Sequence, residues 1–121
     1  MQVAIGDLYR GRDALARLMD TRLPAGLALR LARASKIIAG ELDTFEEQRN
    51  RLIHEVGVEV EGKPGFFNIP EEAKELFENQ MAELESVEVP IQLDPISAAS
   101  LPSLSMTPKD MMRLDWLFGD D

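Results

Sequence analysis

The sequence contains no cysteine and a single histidine, His54, among its 121 residues. Without cysteine the chain cannot form a disulfide, a thiolate metal site or a cysteine nucleophile. A metal site at His54 would need a second histidine or a carboxylate cluster at ligand spacing, and the nearest carboxylates in sequence are Glu47 and Glu55. We therefore expect His54 to lie at a helix end or on the surface, and we expect no metal or other cofactor.

Long hydrophobic runs are also missing. No stretch approaches the roughly 20 apolar residues of a membrane-spanning helix, and the first residues lack the cationic and apolar segments of a secretion signal. The composition, 45% hydrophobic and 29% charged, is typical of a folded globular protein. These observations predict one domain over residues 1–121 that is cytoplasmic and does not contact a membrane.

Basic residues are scarce, with 13 Lys and Arg against 22 Asp and Glu and a net charge of -9. This balance argues against direct nucleic-acid binding, because phosphate neutralisation needs clustered Lys and Arg. Residues 1–40 nevertheless hold seven basic and three acidic groups, whereas residues 41–121 hold six basic and 19 acidic groups. The two parts of the chain either face each other or are solvated. Alternatively, the acidic part docks a basic protein or mimics nucleic acid.

Residue patterns for catalysis are weak. The serines of the segment after residue 94 lie outside any G-x-S-x-G motif. Glu71, Glu75 and Glu78 fall opposite the apolar stripe of their predicted helix, so we expect them to face water, where carboxylates are poor catalysts. The sequence therefore predicts a protein that is not an enzyme.

The strongest structural signal is a long helix over about residues 24–54, following Pro24. Apolar residues recur there at three- and four-residue spacing. Such a helix is about 45 Å long, so we expect another helix of the chain or a second subunit to pack along it, making a homo-oligomer a possible form. The residues assigned to this packing or oligomer stripe are Leu27, Leu31, Ile38, Phe45 and Leu52.

Shorter elements surround this helix. Alternating apolar residues predict strands over 2–5 and 87–93 that pair with each other, and a hairpin or ordered loop over 56–69. Asp7 is the predicted N-cap of a helix from Leu8 to about Met19. Another helix of about 16 residues follows Pro70. The predicted fold is α+β and mostly helical: one long helix, two or three shorter helices and a small sheet of two to four strands.

The last part of the chain is predicted to be an extended connector over 94–106 and a helix over 107–118. Thr107 and Pro108 form a helix start signal. This helix either caps the domain's own core or docks into a groove of a partner, with Met111, Leu114 and Phe118 as anchors. The candidate partner-binding residues are Met111, Met112, Leu114, Trp116 and Phe118.

Several signals follow one another in a definite order. They are Ile5-Gly6-Asp7-Leu8, the Leu23-Pro24 helix break, Glu41-Leu42, Phe45-Glu46-Glu47-Gln48-Arg49, the glycine-containing turn Gly62-Lys63-Pro64-Gly65, Glu85-Ser86-Val87-Glu88-Val89 before Ile91, and Leu104 before Thr107-Pro108-Lys109-Asp110. In this order the chain resembles small accessory proteins encoded by tailed bacteriophages and prophages. The resemblance covers nearly the whole chain and implies a phage or prophage product in the cytoplasm of its bacterial host, without assigning a role to any residue.

Three functions remain open. The first is a protein-binding factor that occludes a host or defence protein, acting as an inhibitor through its acidic surface and apolar anchors. The second is a virion or assembly component that packs against copies of itself, which would place it in the virion. The third is a sponge for a small anionic signal, since arginine binds phosphate well. The arginines assigned to it are Arg10, Arg12, Arg17, Arg22, Arg30 and Arg33.

Overall fold

The computed structural model describes residues 1–97 and 106–119. The fold is α+β and mostly helical, as predicted. The helices are α1 (Ile5–Arg10), α2 (Arg12–Met19), α3 (Ala25–Val56), α4 (Lys74–Glu85) and α5 (Pro108–Arg113), with a 3-10 turn at Glu71–Ala73. Within the described ranges, no helix combines the length and the hydropathy needed to cross a bilayer.

The strands form two-stranded sheets. Strand β1 (Gln2–Ala4) pairs antiparallel with β4 (Glu88–Pro90), which confirms the predicted pairing with shorter strands. Strands β2 (Val58–Glu59) and β3 (Phe67–Asn68) form the predicted hairpin. Strands β5 (Ile96–Ser97) and β6 (Phe118–Gly119) pair in parallel, which the sequence did not predict.

Helix α3 is the longest helix of the described residues. Its 32 residues span about 48 Å at a rise of about 1.5 Å per residue. Its buried stripe consists of Leu31, Ala34, Ile38, Leu42 and Phe45. Helices α1 and α2 pack against it, and α4 packs along it. Other helices of the same chain therefore cover the stripe, and the predicted residues at its ends, Leu27 and Leu52, are half-buried.

The segment predicted as one helix from Leu8 to Met19 forms two helices, because α1 and α2 are separated at Gly11, while the predicted end at Met19 is confirmed. Helix α1 begins at Ile5, so the predicted cap Asp7 lies inside it, and the actual cap residue Ala4 makes no side-chain hydrogen bond. A β-carbon on Gly11 would lie 2.6 Å from the carbonyl oxygen of Arg113. The end of α5 therefore crosses the chain where a side chain would block it.

The C-terminal helix is shorter than predicted. Its start is confirmed, since the backbone N–H of Asp110 donates to Oγ1 of Thr107 at 3.1 Å. The helix nevertheless ends at Arg113 instead of residue 118. Turns follow, because Leu114 and Leu117 both enter the core and Phe118 is extended in β6. Of the predicted connector, residues 98–105 lie outside the described residues.

The buried hydrophobic residues in the described ranges come from two parts of the chain, residues 3–45 and residues 89–117. None comes from residues 46–88, which we call the arm. The arm contains the last part of α3, the β2–β3 hairpin and α4. Its helices contact each other, but its apolar side chains remain at least partly accessible. The core is thus complete without any fully buried side chain from the arm.

Candidate protein-docking surface

The arm carries most of the net charge of the protein. Residues 46–88 contain twelve glutamates against four Lys and Arg, so they contribute -8 of the total -9. The burial pattern leaves eleven of these glutamates exposed and one, Glu85, half-buried. An exposed surface of one sign attracts partners of the opposite sign and raises their rate of encounter.

The hairpin at the end of the arm has two distinct faces. Its register opposes Val58 to Asn68 and Glu59 to Phe67, and the N–H of Val60 donates to the carbonyl oxygen of Phe66 at 2.8 Å. Residues directly opposite each other in an antiparallel pair share a face, and neighbours along a strand alternate. Glu59 and Phe67 therefore lie on one face. The other face, which we call the outer hairpin face, carries Val58, Val60 and Phe66.

The turn that joins the two strands explains how this face is held. Gly62 and Gly65 have φ angles of 78° and 85°, in the left-handed region that favours glycine. The predicted glycine-containing turn is confirmed at these positions. The turn thereby brings strands β2 and β3 into register across a short connection.

The inner face of the hairpin packs on α3. The ring of Phe67 contacts the ring of His54 edge-on, with centroids 4.4 Å apart. Successive residues of a helix are about 100° apart, so His54, nine residues after Phe45, lies on the side of α3 opposite the buried stripe. The outer hairpin face therefore points away from α3 on that side. His54 is exposed and serves the hairpin as a packing partner.

Apolar side chains of the outer hairpin face are far more exposed than the side chains of the hydrophobic core. Phe66 is 65% exposed and Val58 60% exposed. Covering such side chains releases about 25 cal/mol for each Å² of apolar surface, and exposed aromatic residues are frequent anchors of protein interfaces. The face combines apolar anchors with a surrounding of glutamates, whereas the sequence prediction placed the apolar anchors on the C-terminal helix.

A second surface lies on the first half of α3. Its residues fall within about 120° of the helix circumference, on the side away from the buried stripe. The exposed apolar members are 53% and 46% accessible, and the charged members belong to no ion pair of the described residues. This basic face consists of Leu29, Arg30, Arg33, Lys36 and Ile37.

Two concave sites differ in size. One cavity of about 660 Å³ lies beside β1 and β4, and the charged side chains in its lining are Arg30 and Asp94. A groove of about 170 Å³ between α3 and α4, with Leu52 and Leu84 in its lining, is below the about 300 Å³ of a small-molecule site. Within residues 1–97 and 106–119, no three His, Asp or Glu side chains come together in a way that could hold a metal ion.

The C-terminal residues predicted to bind a partner do not form one accessible face. Leu114 is fully buried in the chain's own core, so the predicted anchor role is wrong for it. Met111, Trp116 and Phe118 are half-buried. Met112 is 79% exposed. The sequence could not distinguish core from anchor here, because the segment is apolar on several sides.

The six arginines predicted to bind an anion are not brought together. Two of them are held by carboxylates: Arg17 donates to both carboxylate oxygens of Asp110 at 2.8 and 2.6 Å, and Arg10 contacts Asp7 at 2.8 Å. Arg12 lies over the ring of Tyr9 at 4.0 Å. The remaining three, Arg22, Arg30 and Arg33, are exposed.

The Arg17–Asp110 pair ties α2 to α5. Asp110 is the buried charged residue of the described ranges. The hydrogen bonds from Arg17 lower the pKa of the Asp110 carboxyl below its ordinary value of 3.8, although desolvation alone would raise it. The pair therefore holds the C-terminal segment in place, which is a structural role for an arginine that the sequence assigned to ligand binding.

No family model, curated protein or solved structure matches the chain. The function is therefore argued from the surfaces themselves. Two of them stand out because they combine exposed apolar residues with charge of one sign: the outer hairpin face within the acidic arm, and the basic face of α3.

Proposed function

We propose that this protein is a non-enzymatic binding protein that docks on another protein through its arm. The observation that carries the proposal is the outer hairpin face, where Phe66 and Val58 are exposed although the core is complete without them. Exposing such an apolar surface to water is unfavourable in free energy, and a partner that covers the surface removes this cost.

The proposed target is a basic surface of a host or defence protein. The resemblance to phage and prophage accessory proteins supports this biological setting, and the charge of the arm, -8 over residues 46–88, supports the basic character of the target. The mechanism is occlusion: the glutamates align the arm on the basic surface, and apolar contacts at the hairpin slow dissociation.

The alternative is an assembly component that packs against copies of itself. It is favoured by the basic face of α3, which offers the arm a surface of opposite charge within the same chain. The two functions differ in what the arm contacts inside the cell.

A photo-crosslinking experiment tests the proposal. A photoreactive phenylalanine analogue replaces Phe66 in one variant and Met112, which is 79% exposed outside the arm and the basic face, in a control variant. Irradiation of bacterial cells expressing each variant should link the position-66 probe to one distinct protein, absent from the position-112 sample. Identical products at both positions would overturn docking through the arm. Products containing this chain alone would favour the assembly alternative.

A further inference from the structure

The outer hairpin face is too small to form a stable interface without its surroundings. A standard interface buries about 800 Å² on each partner, whereas a single aromatic side chain offers about 150–250 Å². Three apolar side chains therefore leave most of the area to be supplied by the charged residues around them. The chemistry of those residues decides what can cover the face.

The surroundings of this face are acidic, and most of their glutamates are unpaired. Residues 55–72 contain five glutamates and one lysine. Glu71 is paired with Lys74 at 2.7 Å. The other four glutamates make no ion pair with any described residue. They are Glu55, Glu61 and Glu72, together with Glu59, which lies on the opposite face of the hairpin beside Phe67.

The basic face of α3 has the complementary composition. No acidic residue occurs between positions 21 and 40, which contain four basic residues. Leu29, Arg33 and Ile37 are spaced four residues apart and lie side by side on the helix. This face thus offers apolar side chains to the outer hairpin face and cations to its glutamates.

One molecule cannot bring its own two surfaces together. About 21 residues separate Arg33 from His54, on which the hairpin rests, and this corresponds to about 32 Å along a continuous helix. Both surfaces lie on the side of α3 opposite the buried stripe. Two copies placed antiparallel can therefore make the contact twice, with the hairpin of each on the first half of α3 of the other.

We infer that the protein forms an antiparallel dimer in which the outer hairpin face of each copy covers the basic face of α3 in its partner. The inference rests on the proposed docking role of the arm and names a second copy as an occupant of the same surface. A two-fold arrangement satisfies both contacts and leaves no free end, so assembly stops at two copies. A host target would then compete with the second copy for the arm.

Charge-swap variants test the dimer. In the acidic variant, Arg30→Glu and Arg33→Glu make the α3 face negative. In the basic variant, Glu61→Lys and Glu72→Lys replace two of the unpaired negative charges around the outer hairpin face with positive ones. Each variant alone places like charges together at both contacts and should raise the dimer dissociation constant about tenfold or more. A mixture of the two variants restores opposite charges at both contacts and should form a one-to-one heterodimer.

Sedimentation velocity of the full chain gives the readout at about 0.15 M salt, where distant charges are screened. The wild-type protein should approach twice its monomer mass of 13.5 kDa as its concentration rises. Phe66→Ser should dissociate the dimer. The controls Met112→Ser and Asp20→Lys, both at exposed positions outside the two faces, should not.

The outcomes separate this inference from the proposed function. A wild-type chain that stays monomeric, or a dimer that both charge variants leave intact, would overturn the inference. So would a mixture of the two variants that forms no heterodimer. If the chain is monomeric while the position-66 probe still links to one distinct cellular protein, the dimer is refuted and docking through the arm is supported.

Discussion

The burial of the C-terminal segment leads to a quantitative prediction for Leu117→Ala. The Leu117 side chain is fully buried, and a buried Leu→Ala change costs about 2–5 kcal/mol through lost transfer free energy and the cavity left behind. At about 2.1 cal/mol/K per residue, the unfolding entropy of 121 residues is about 0.25 kcal/mol/K. We therefore expect the unfolding midpoint to fall by about 8–20 °C.

Thermal unfolding followed by circular dichroism measures this shift. The single tryptophan, Trp116, gives a fluorescence signal from the same segment, and the two transitions should coincide if unfolding is two-state. Met112→Ala is the matched control, because its side chain is 79% exposed and the change should cost within about 0.5 kcal/mol. A Leu117→Ala midpoint as close to wild type as the control's would refute the placement of this segment in the core.

Two further predictions concern the contacts that hold the same segment. Arg17 lowers the pKa of Asp110 below 3.8 in the folded protein. The contribution of the Arg17–Asp110 ion pair to stability is therefore complete at pH values above 3.8 and is lost as the pH falls through the folded pKa of Asp110. The stability difference between wild type and Asp110→Asn, measured by urea unfolding, should therefore be constant near neutral pH and shrink in acid; a difference that grows in acid would contradict the ion pair. Gly11→Ala should destabilise the protein, since its β-carbon would meet a carbonyl oxygen at 2.6 Å, whereas Gly40→Ala, with nothing within 4 Å, should stabilise α3 by about 0.5–1 kcal/mol. Equal midpoints for the two glycine variants would show that the close approach at Gly11 is absent.

Local signals in the sequence predicted much of the fold. The three- and four-residue spacing of apolar residues placed α3 to within about two residues at each end, which is the usual uncertainty of helix boundaries. Alternation placed β1 and β4, and the cap at Thr107 was predicted from residue type. Each of these features depends on residues close together in the sequence, and the pattern is therefore visible without the fold.

The features that were missed depend on contacts between distant residues. The requirement for glycine at position 11 follows from the carbonyl oxygen of Arg113, more than a hundred positions away. The sequence pattern predicts one helix over the C-terminal segment, but Phe118 instead pairs with Ile96 in a parallel sheet. The sequence could not show that Leu114 is buried while Met112 is exposed, since both residues are apolar and close together in the chain.

The docking surfaces were visible in part. The basic excess of residues 1–40 and the alternation of Val56, Val58 and Val60 are both present in the sequence. What the sequence could not supply is exposure: only the packing of Phe67 on His54 shows that Val58 and Phe66 face outward. The absence of acidic residues between positions 21 and 40 is the signal that could have identified the basic face of α3.

The core that Leu114 and Leu117 complete has a consequence for synthesis of the protein on the ribosome. Two of the fully buried side chains that close the core, Leu114 and Leu117, are translated about 70 residues after Phe45. At about 5–20 residues per second, this interval lasts several seconds. During it the nascent chain exposes the buried stripe around Phe45, and we expect it to depend on chaperones until Leu117 has emerged.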